Sequence, residues 1–218
     1  MRRTVLVSHA MSPLGVAVTR RLAESGHAVY AGDLDIDGVN AAPAAAARRY
    51  AAQKSFLLRP VELDPHSQRS VTCAVATIIK EQRRIDVMVH NGLWPVADPD
   101  HRPTPGYTDK VHHANLLGAQ RLNRAVVPQM RRQGEGLLVY LGGAGYDGES
   151  SVSAATKVAA DSLAAVHAAK VARLGIDTTI IPERLIAKGT VNDSALAAAV
   201  AALVLAPPGR SLFLAQID

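Results

Sequence analysis

Thr4-Val5-Leu6-Val7-Ser8-His9-Ala10-Met11-Ser12-Pro13-Leu14-Gly15-Val16-Ala17-Val18, continued through Ala28-Val29-Tyr30-Ala31-Gly32-Asp33, is the stretch that decides the fold. Four β-branched or aliphatic residues make a short strand, and a Ser/Pro-marked turn follows. A helical period then runs over Leu14–Ser25, and Gly26 ends it. A second apolar run closes on an acid. Strand, tight turn, helix, strand, acid is the order that opens a dinucleotide-binding unit.

The alternation continues to the other end of the chain. Strand-like runs occur at Thr4–Ser8, Ala28–Asp33, Ser55–Val61, Asp86–His90, Gly136–Leu141, Asp177–Pro182 and Ser211–Ala215. Helix-like periods fill Leu14–Ser25, Pro43–Gln53, Ser67–Gln82, Tyr107–Gln133, Val152–Gly175 and Asp193–Ala206. Such alternation with short connections predicts one α/β domain over residues 1–218. It would be a Rossmann-type, doubly wound, seven-stranded parallel sheet in three layers, because right-handed crossovers put helices on both faces. The irregular stretch Leu93–Gly106, with Pro95, Pro99, Pro103 and Pro105, follows the fourth strand and borders the crevice where such sheets bind ligands.

Composition narrows the function classes. Hydrophobic residues are 48% of the 218, which excludes disorder, while one Trp, five Tyr and two Phe leave the core to small aliphatic side chains. The net charge of +5 is spread as pairs (Arg20-Arg21, Arg48-Arg49, Arg83-Arg84, Arg131-Arg132) at helix faces and ends. No basic stripe interleaved with aromatics is present, so no nucleic-acid partner is expected. Cys73 stands alone, which rules out an internal disulfide or thiolate zinc site. The eight histidines show no compact ligand spacing, and no metal is expected. The longest late apolar run, Leu196–Ala206, is too short to span a bilayer, so no membrane partner and a cytoplasmic setting are expected.

With these segments in order, nearly the whole chain resembles the short-chain dehydrogenase/reductase family. The family's first turn, Thr-Gly-x-x-x-Gly-x-Gly, falls on Ser8, His9, Pro13 and Gly15. Ser8 and Gly15 keep its character. His9 and Pro13 remove the two glycines that shape the turn and admit pyrophosphate, and proline also deletes an N–H. The resemblance implies that Asp33 holds the adenosine ribose and selects NAD over NADP, and that Asp64 contacts adenine. Asp64 also suits a cap for the helix near Ser67. The segment Asp86–Leu93 is similar to the family's strand ending in Asn-Asn-Ala-Gly, with His90 at the first asparagine and Asn91 at the second. The implied cofactor set is Ser8, Ser12, Leu14, Gly15, Asp33, Asp64 and Asn91, and the implied cofactor is NAD, held weakly or not at all.

The catalytic set implied by the resemblance is incomplete. Asn115 falls on the family's active-site asparagine, which holds a water for proton relay; a mid-helix kink is its structural alternative. In the family a serine follows the fifth strand, and Tyr-x-x-x-Lys lies on the next helix. One helical turn sets that ammonium beside the phenol and lowers its pKa. Here Lys157 remains, Ser153 stands at the tyrosine position, and Gly142 or Gly143 at the serine position. Tyr140 and Tyr146 lie nearby, and Tyr146, in a glycine-flanked loop, is the better replacement acid. Glu183 replaces the glycine of a Pro-Gly strand end that covers nicotinamide, and about ten residues separate it from the last helix, where the family carries a longer lid.

Two function classes follow. One is an atypical oxidoreductase with an eroded nicotinamide site and an incomplete tetrad (Asn115, Ser153 or Tyr146, Lys157) acting on a small molecule. The other is a non-redox protein that uses the inherited crevice for another ligand, a partner, or a lyase- or isomerase-type step. The two longest helices resemble those of the family's dimer interface. The face bearing Ala154, Ala155, Ala159, Ala164, Ala165, Ala168 and Ala169 favours a homodimer or homotetramer.

Overall fold

A computed structural model describes residues 1–91, 104–141, 151–181 and 193–206. Its elements run β1 (Thr4–Val7), α1 (Pro13–Glu24), β2 (Ala28–Asp33), α2 (Ala41–Lys54), β3 (Leu58–Glu62), α3 (Gln68–Gln82), β4 (Val87–Asn91), α4 (Pro105–His112), a π-turn (His113–Leu117), α5 (Gly118–Gln133), β5 (Gly136–Leu141), α6 (Ser151–Val171), a 3₁₀ turn (Ala172–Leu174), β6 (Ile176–Ile181) and α7 (Asp193–Leu205). The strands form one sheet in the order β3-β2-β1-β4-β5-β6. All pairs are parallel, with Val5 opposite both Val29 and Val87, and His90 opposite Tyr140.

Strand residues point alternately to two apolar layers. Val5, Val7, Val29, Ala31, Val87, Val89, Leu137 and Val139 pack with Leu14, Val18 and Leu22 of α1 and Leu196, Val200 and Val204 of α7. Leu6, Tyr30, Met88, Leu138 and Tyr140 face Val71, Val75 and Ile78 of α3, Leu122, Val126 and Met130 of α5, and Ala164 of α6. Burial on both sides is why the strands read as nearly continuous apolar runs rather than alternating ones. The three layers are therefore present, with six strands among the described residues. The seventh expected strand, Ser211–Ala215, lies outside them, as does the Pro-rich stretch at 93–103.

Three details differ from the sequence expectation. The third strand begins at Leu58, because Ser55 ends α2 in a left-handed conformation (φ 56°) and turns the chain before extension starts. The helix expected over Tyr107–Gln133 is interrupted by the π-turn, so α4 and α5 are separate elements. Residues 172–174 tighten into a 3₁₀ turn before Gly175 (φ 76°). Among the described residues no helix is long and apolar enough to cross a membrane.

The sequence order reverses between β1 and β4, the central neighbours in the sheet. Crevices form outside the C-terminal ends of strands at such a switch point. The turn after β1, the end of β2 and Asn91 of β4 all meet there.

Candidate functional site at the strand ends

The turn after β1 is built on the His9 carbonyl. It accepts from the Ser12 hydroxyl (2.9 Å) and from Asn91 Nδ2 (2.8 Å). Asn91 Nδ2 also donates to Ser12 Oγ (3.1 Å), and the Asn91 N–H donates to Ser8 Oγ (3.3 Å). These bonds hold His9 in the left-handed region (φ 49°), where a glycine would sit freely and a β-carbon strains the backbone. Gly15 lets α1 come down onto this turn. A Cβ there would lie 2.4 Å from the His9 carbonyl oxygen and 2.7 Å from Ala10 Cα.

The donors of this turn are largely spent. Ser12 caps α1, its hydroxyl taking the Gly15 N–H (3.1 Å) and its carbonyl the Val16 N–H (2.9 Å). The Ala10 N–H goes to the Gly32 carbonyl (3.1 Å) and the Met11 N–H to Asp33 Oδ2 (2.7 Å). Pro13 has none. Among the described residues no acceptor takes the Leu14 N–H, so it is the helix-start donor left to an anion.

Asp33 ends β2 where the resemblance places it, but it is 1% exposed and engaged on both oxygens. Oδ1 accepts from the Leu34 N–H (2.9 Å), with Asn40 Nδ2 at 3.4 Å, while Oδ2 holds Met11. Burial raises this carboxyl above its ordinary range, and the Met11 and Leu34 N–H bonds pull the other way. Asp64 accepts the His66 N–H on Oδ1 (2.8 Å), while Ser67 caps α3 through the Ser70 N–H. The cap is thus Ser67, and Asp64 shapes the turn before it. An open Leu14 N–H and a shielded acid fit a dinucleotide incompletely: among the described residues most donors of the turn are taken, and the ribose acid is already partnered.

The second half of the site is a small cavity of about 40 Å³ beyond β4 and β5. Asn115, Lys157, Asp161, His90 and Tyr140 all contribute to its wall. Asn115 sits in the π-turn, so the helix irregularity expected at this residue is present, and it is 7% exposed on the cavity wall. Lys157 is 4% exposed and its ammonium is bonded to the carboxylate of Asp161, one turn along α6. Ser153 lies on α6 one turn before Lys157. Tyr146, Gly142, Gly143 and Glu183 lie outside the described residues.

Beneath the cavity is a polar cluster that the sequence reading did not assemble. His90 Nε2 meets Asn123 Oδ1 (3.0 Å), and Asn123 Nδ2 donates to the Tyr140 hydroxyl (2.8 Å). The His90 and Tyr140 rings stack at 4.3 Å and 8°. Burial drives the His90 imidazole down to about 3 and the Tyr140 phenol up to about 12. Tyr140 is thus at the cavity wall, yet its phenol resists ionisation. His9 does not join His90 in this cluster; burial lowers its pKa as well. Asp161 was within reach of sequence reasoning, since an acid four residues after a helical lysine is a standard ion-pair spacing. The Asn123 contacts carried no such local signal. Among the described residues no three His, Cys, Asp or Glu side chains gather in a metal-holding group.

Comparison with known proteins places this architecture. Residues 3–196 match the family described as short chain dehydrogenase. Over 141 residues the chain is 26% identical to a 3-ketodihydrosphingosine reductase of Bacteroides thetaiotaomicron, covering 65% of this chain and 47% of that protein. It is 33% identical to the short-chain reductase protein NovJ of Streptomyces niveus, covering 62% and 49%. The matched part thus spans about half the length of these curated relatives. A metagenomic short-chain oxidoreductase solved in complex with NADP superposes with a TM-score of 0.78 at 18% identity, over 96% of this chain and 94% of that one, a likeness of fold. With a parallel β3-β2-β1-β4-β5-β6 sheet, a crevice at its switch point and a match over most of its length, the chain belongs to the short-chain dehydrogenase/reductase family.

Proposed function

We propose that this protein is an atypical short-chain oxidoreductase with an eroded nicotinamide site and an incomplete proton relay, acting on a small molecule. The observation that carries this reading is the shared cavity: Asn115 and Lys157, the two tetrad positions retained in the sequence, are both buried on its wall. In this reading Asn115 orients a water there, and Lys157 supplies positive charge for proton passage. Ser153 stands where a phenol is needed. A serine hydroxyl is too weak an acid to replace it, so Tyr146 is the side chain that restores turnover if any does.

The cofactor of this reading is NAD. The Asp33 carboxylate at the end of β2 repels a 2′-phosphate, in contrast to the NADP of the solved metagenomic relative. Its binding is weak because the turn leaves the Leu14 N–H as the open donor. Ser8, Ser12, Gly15 and Asn91 support the turn rather than offer it to a ligand. Asp64 remains the adenine-side residue. The reading includes a homodimer or homotetramer through α6 and a cytoplasmic setting, the latter supported by a single unpaired cysteine.

A second reading, a non-redox protein using the same crevice, is favoured by one specific contact. The bond from Lys157 to Asp161 turns to a carboxylate the ammonium that, in the resemblance, lies beside the catalytic phenol. Calorimetric titration with NADH separates the two. Heat with micromolar to submillimolar affinity, weakened by Asp33→Ala, supports the oxidoreductase. No heat at millimolar NADH removes it in favour of the non-redox reading. If turnover is found, Tyr146→Phe and Lys157→Ala should each reduce it at least about tenfold, and an unchanged rate in both would discard the assigned roles.

A further inference from the structure

Arg121 of α5 makes three contacts, two with His113 at the start of the π-turn and one with the loop before α3. Its Nη1 donates to the Pro65 carbonyl (3.0 Å) and to the His113 carbonyl (3.3 Å), and its Nη2 lies 2.9 Å from His113 Nε2. His113 Nδ1 is 3.2 Å from His66 Nδ1, and the two rings lie nearly parallel, with centroids 5.4 Å apart and 19° between their planes.

Chemistry fixes the protons along this chain. A guanidinium only donates, so His113 Nε2 must be bare and must accept. The single proton of a neutral His113 then sits on Nδ1 and points to His66 Nδ1, which accepts in turn. His66 carries its own proton on Nε2. Every link requires both imidazoles to be neutral. A proton on His113 Nε2 faces the guanidinium, and a proton on His66 Nδ1 faces the Nδ1–H of His113. The same geometry argues against a metal between the two Nδ1 atoms, since ligation there would move the His113 proton onto the nitrogen facing Arg121.

We propose that Arg121, His113 and His66 form a positioning chain that fixes the π-turn bearing Asn115 against the Asp64 loop while both imidazoles are neutral, and releases it when either is protonated. The chain begins two residues before Asn115 and ends two residues after Asp64, so it ties the cavity end of the crevice to its adenine end. An independent contact shows how close these segments lie. A Cβ on Gly118, just after the π-turn, would sit 3.0 Å from Pro65 Cβ. The charged and titratable groups nearest along the surrounding elements are Asp64 and Arg69 beside the start of α3, Asp109, Lys110 and His112 at the end of α4, Arg121 and Arg124 on α5, and Lys157 and Asp161 on α6. Of these, Asp64 holds the His66 N–H, Arg121 holds His113, and Lys157 and Asp161 are paired with each other. The inference rests on the proposed role of Asn115 only for its consequence in binding, not for the chain itself.

The test is amide hydrogen exchange over residues 113–117, corrected for intrinsic rates, at pH 7.5 and 5.5. Wild-type protection should fall about tenfold between the two, the equivalent of losing one charge-assisted bond. In the His66→Gln, His113→Gln double variant the fall should shrink below about twofold, because neither imidazole of the chain remains to take a proton. Arg121→Lys, which keeps the charge but cannot span three acceptors, should be weakly protected at both pH values. Histidine 15N shifts give a second measure: His113 should be the Nδ1–H tautomer at pH 7.5. A full pH-dependent fall in the double variant, a pH-independent wild type, or an Nε2–H tautomer at His113 would overturn the proposal. None of these readouts uses NADH, so a failed titration leaves this test intact.

Discussion

His90 replaces an asparagine of the related pattern, and its surroundings decide what the exchange does. The ring is 6% exposed, stacked on Tyr140 and bonded through Nε2 to Asn123, while its Nδ1 has no partner among the described residues. Charging it would strand a cation in the core, so its pKa drops from 6.5 to about 3. The sign for stability follows. A base with a depressed folded pKa leaves the unfolded chain to take the proton first, so stability is flat above about pH 6.5 and is lost as pH falls toward 3. The slope from this one group is roughly 1 kcal/mol per pH unit. Burial lowers His27 and His167 too, which adds loss of the same sign. Urea unfolding of His90→Asn between pH 4.5 and 7.5 should show a shallower acid slope than wild type, by about one proton. An unchanged slope would mean that His90 is not the group excluded from protonation.

At the scale of elements, the approach of α1 to the β1 turn sets the crevice wall. Gly15→Ala would place a methyl group against the His9 carbonyl, which Asn91 and Ser12 hold, and against Ala10 Cα. The expected cost is about 2–4 kcal/mol, seen as a lower urea midpoint with an unchanged m-value. A loss below about 0.5 kcal/mol would show that α1 can lift off the turn freely. This same region separates what periodicity reveals from what it hides. The apolar runs at Val5–Val7, Val29–Ala31 and Val87–Val89 made the parallel sheet legible, because burial on both faces leaves a strong local signal. Gly26, Gly134 and Gly175 end their helices with positive φ as their placement implied. The π-turn at His113–Leu117 left no such trace, since Ala114, Leu116 and Leu117 continue a good helical pattern and the contacts that meet there are long-range, Arg121 also bonding to Pro65, 56 residues away. Asp33 was placed correctly along the chain, but its bonds to Met11 and Asn40 arise only when two turns fold together.

At the scale of the whole molecule, α6 carries apolar side chains that its own fold does not cover. Val158 is 63% exposed and Val166 58%, with Leu163 between them and Ala155, Ala159 and Ala169 exposed on the same side. Ala164 instead faces the sheet, and Ala165 and Ala168 are half-buried, so the alanines expected at one interface are divided between the core and the surface. Leu117, at the end of the π-turn, adds another exposed apolar residue at 43%. Burying one such side chain contributes roughly 1.5–3 kcal/mol, and small residues between the larger ones let a symmetry-related helix come close. Light scattering at micromolar concentration should therefore give a dimer or tetramer. Val158→Glu with Val166→Lys should dissociate it without unfolding, because neither side chain supports the core. If the wild type is monomeric over that range, the exposed face of α6 serves no self-association. If the doubly charged variant keeps its mass, the interface lies on another surface. Dissociation should also loosen the residues that α6 brings to the crevice, Lys157 foremost, so any NADH heat in the wild type should weaken in the variant.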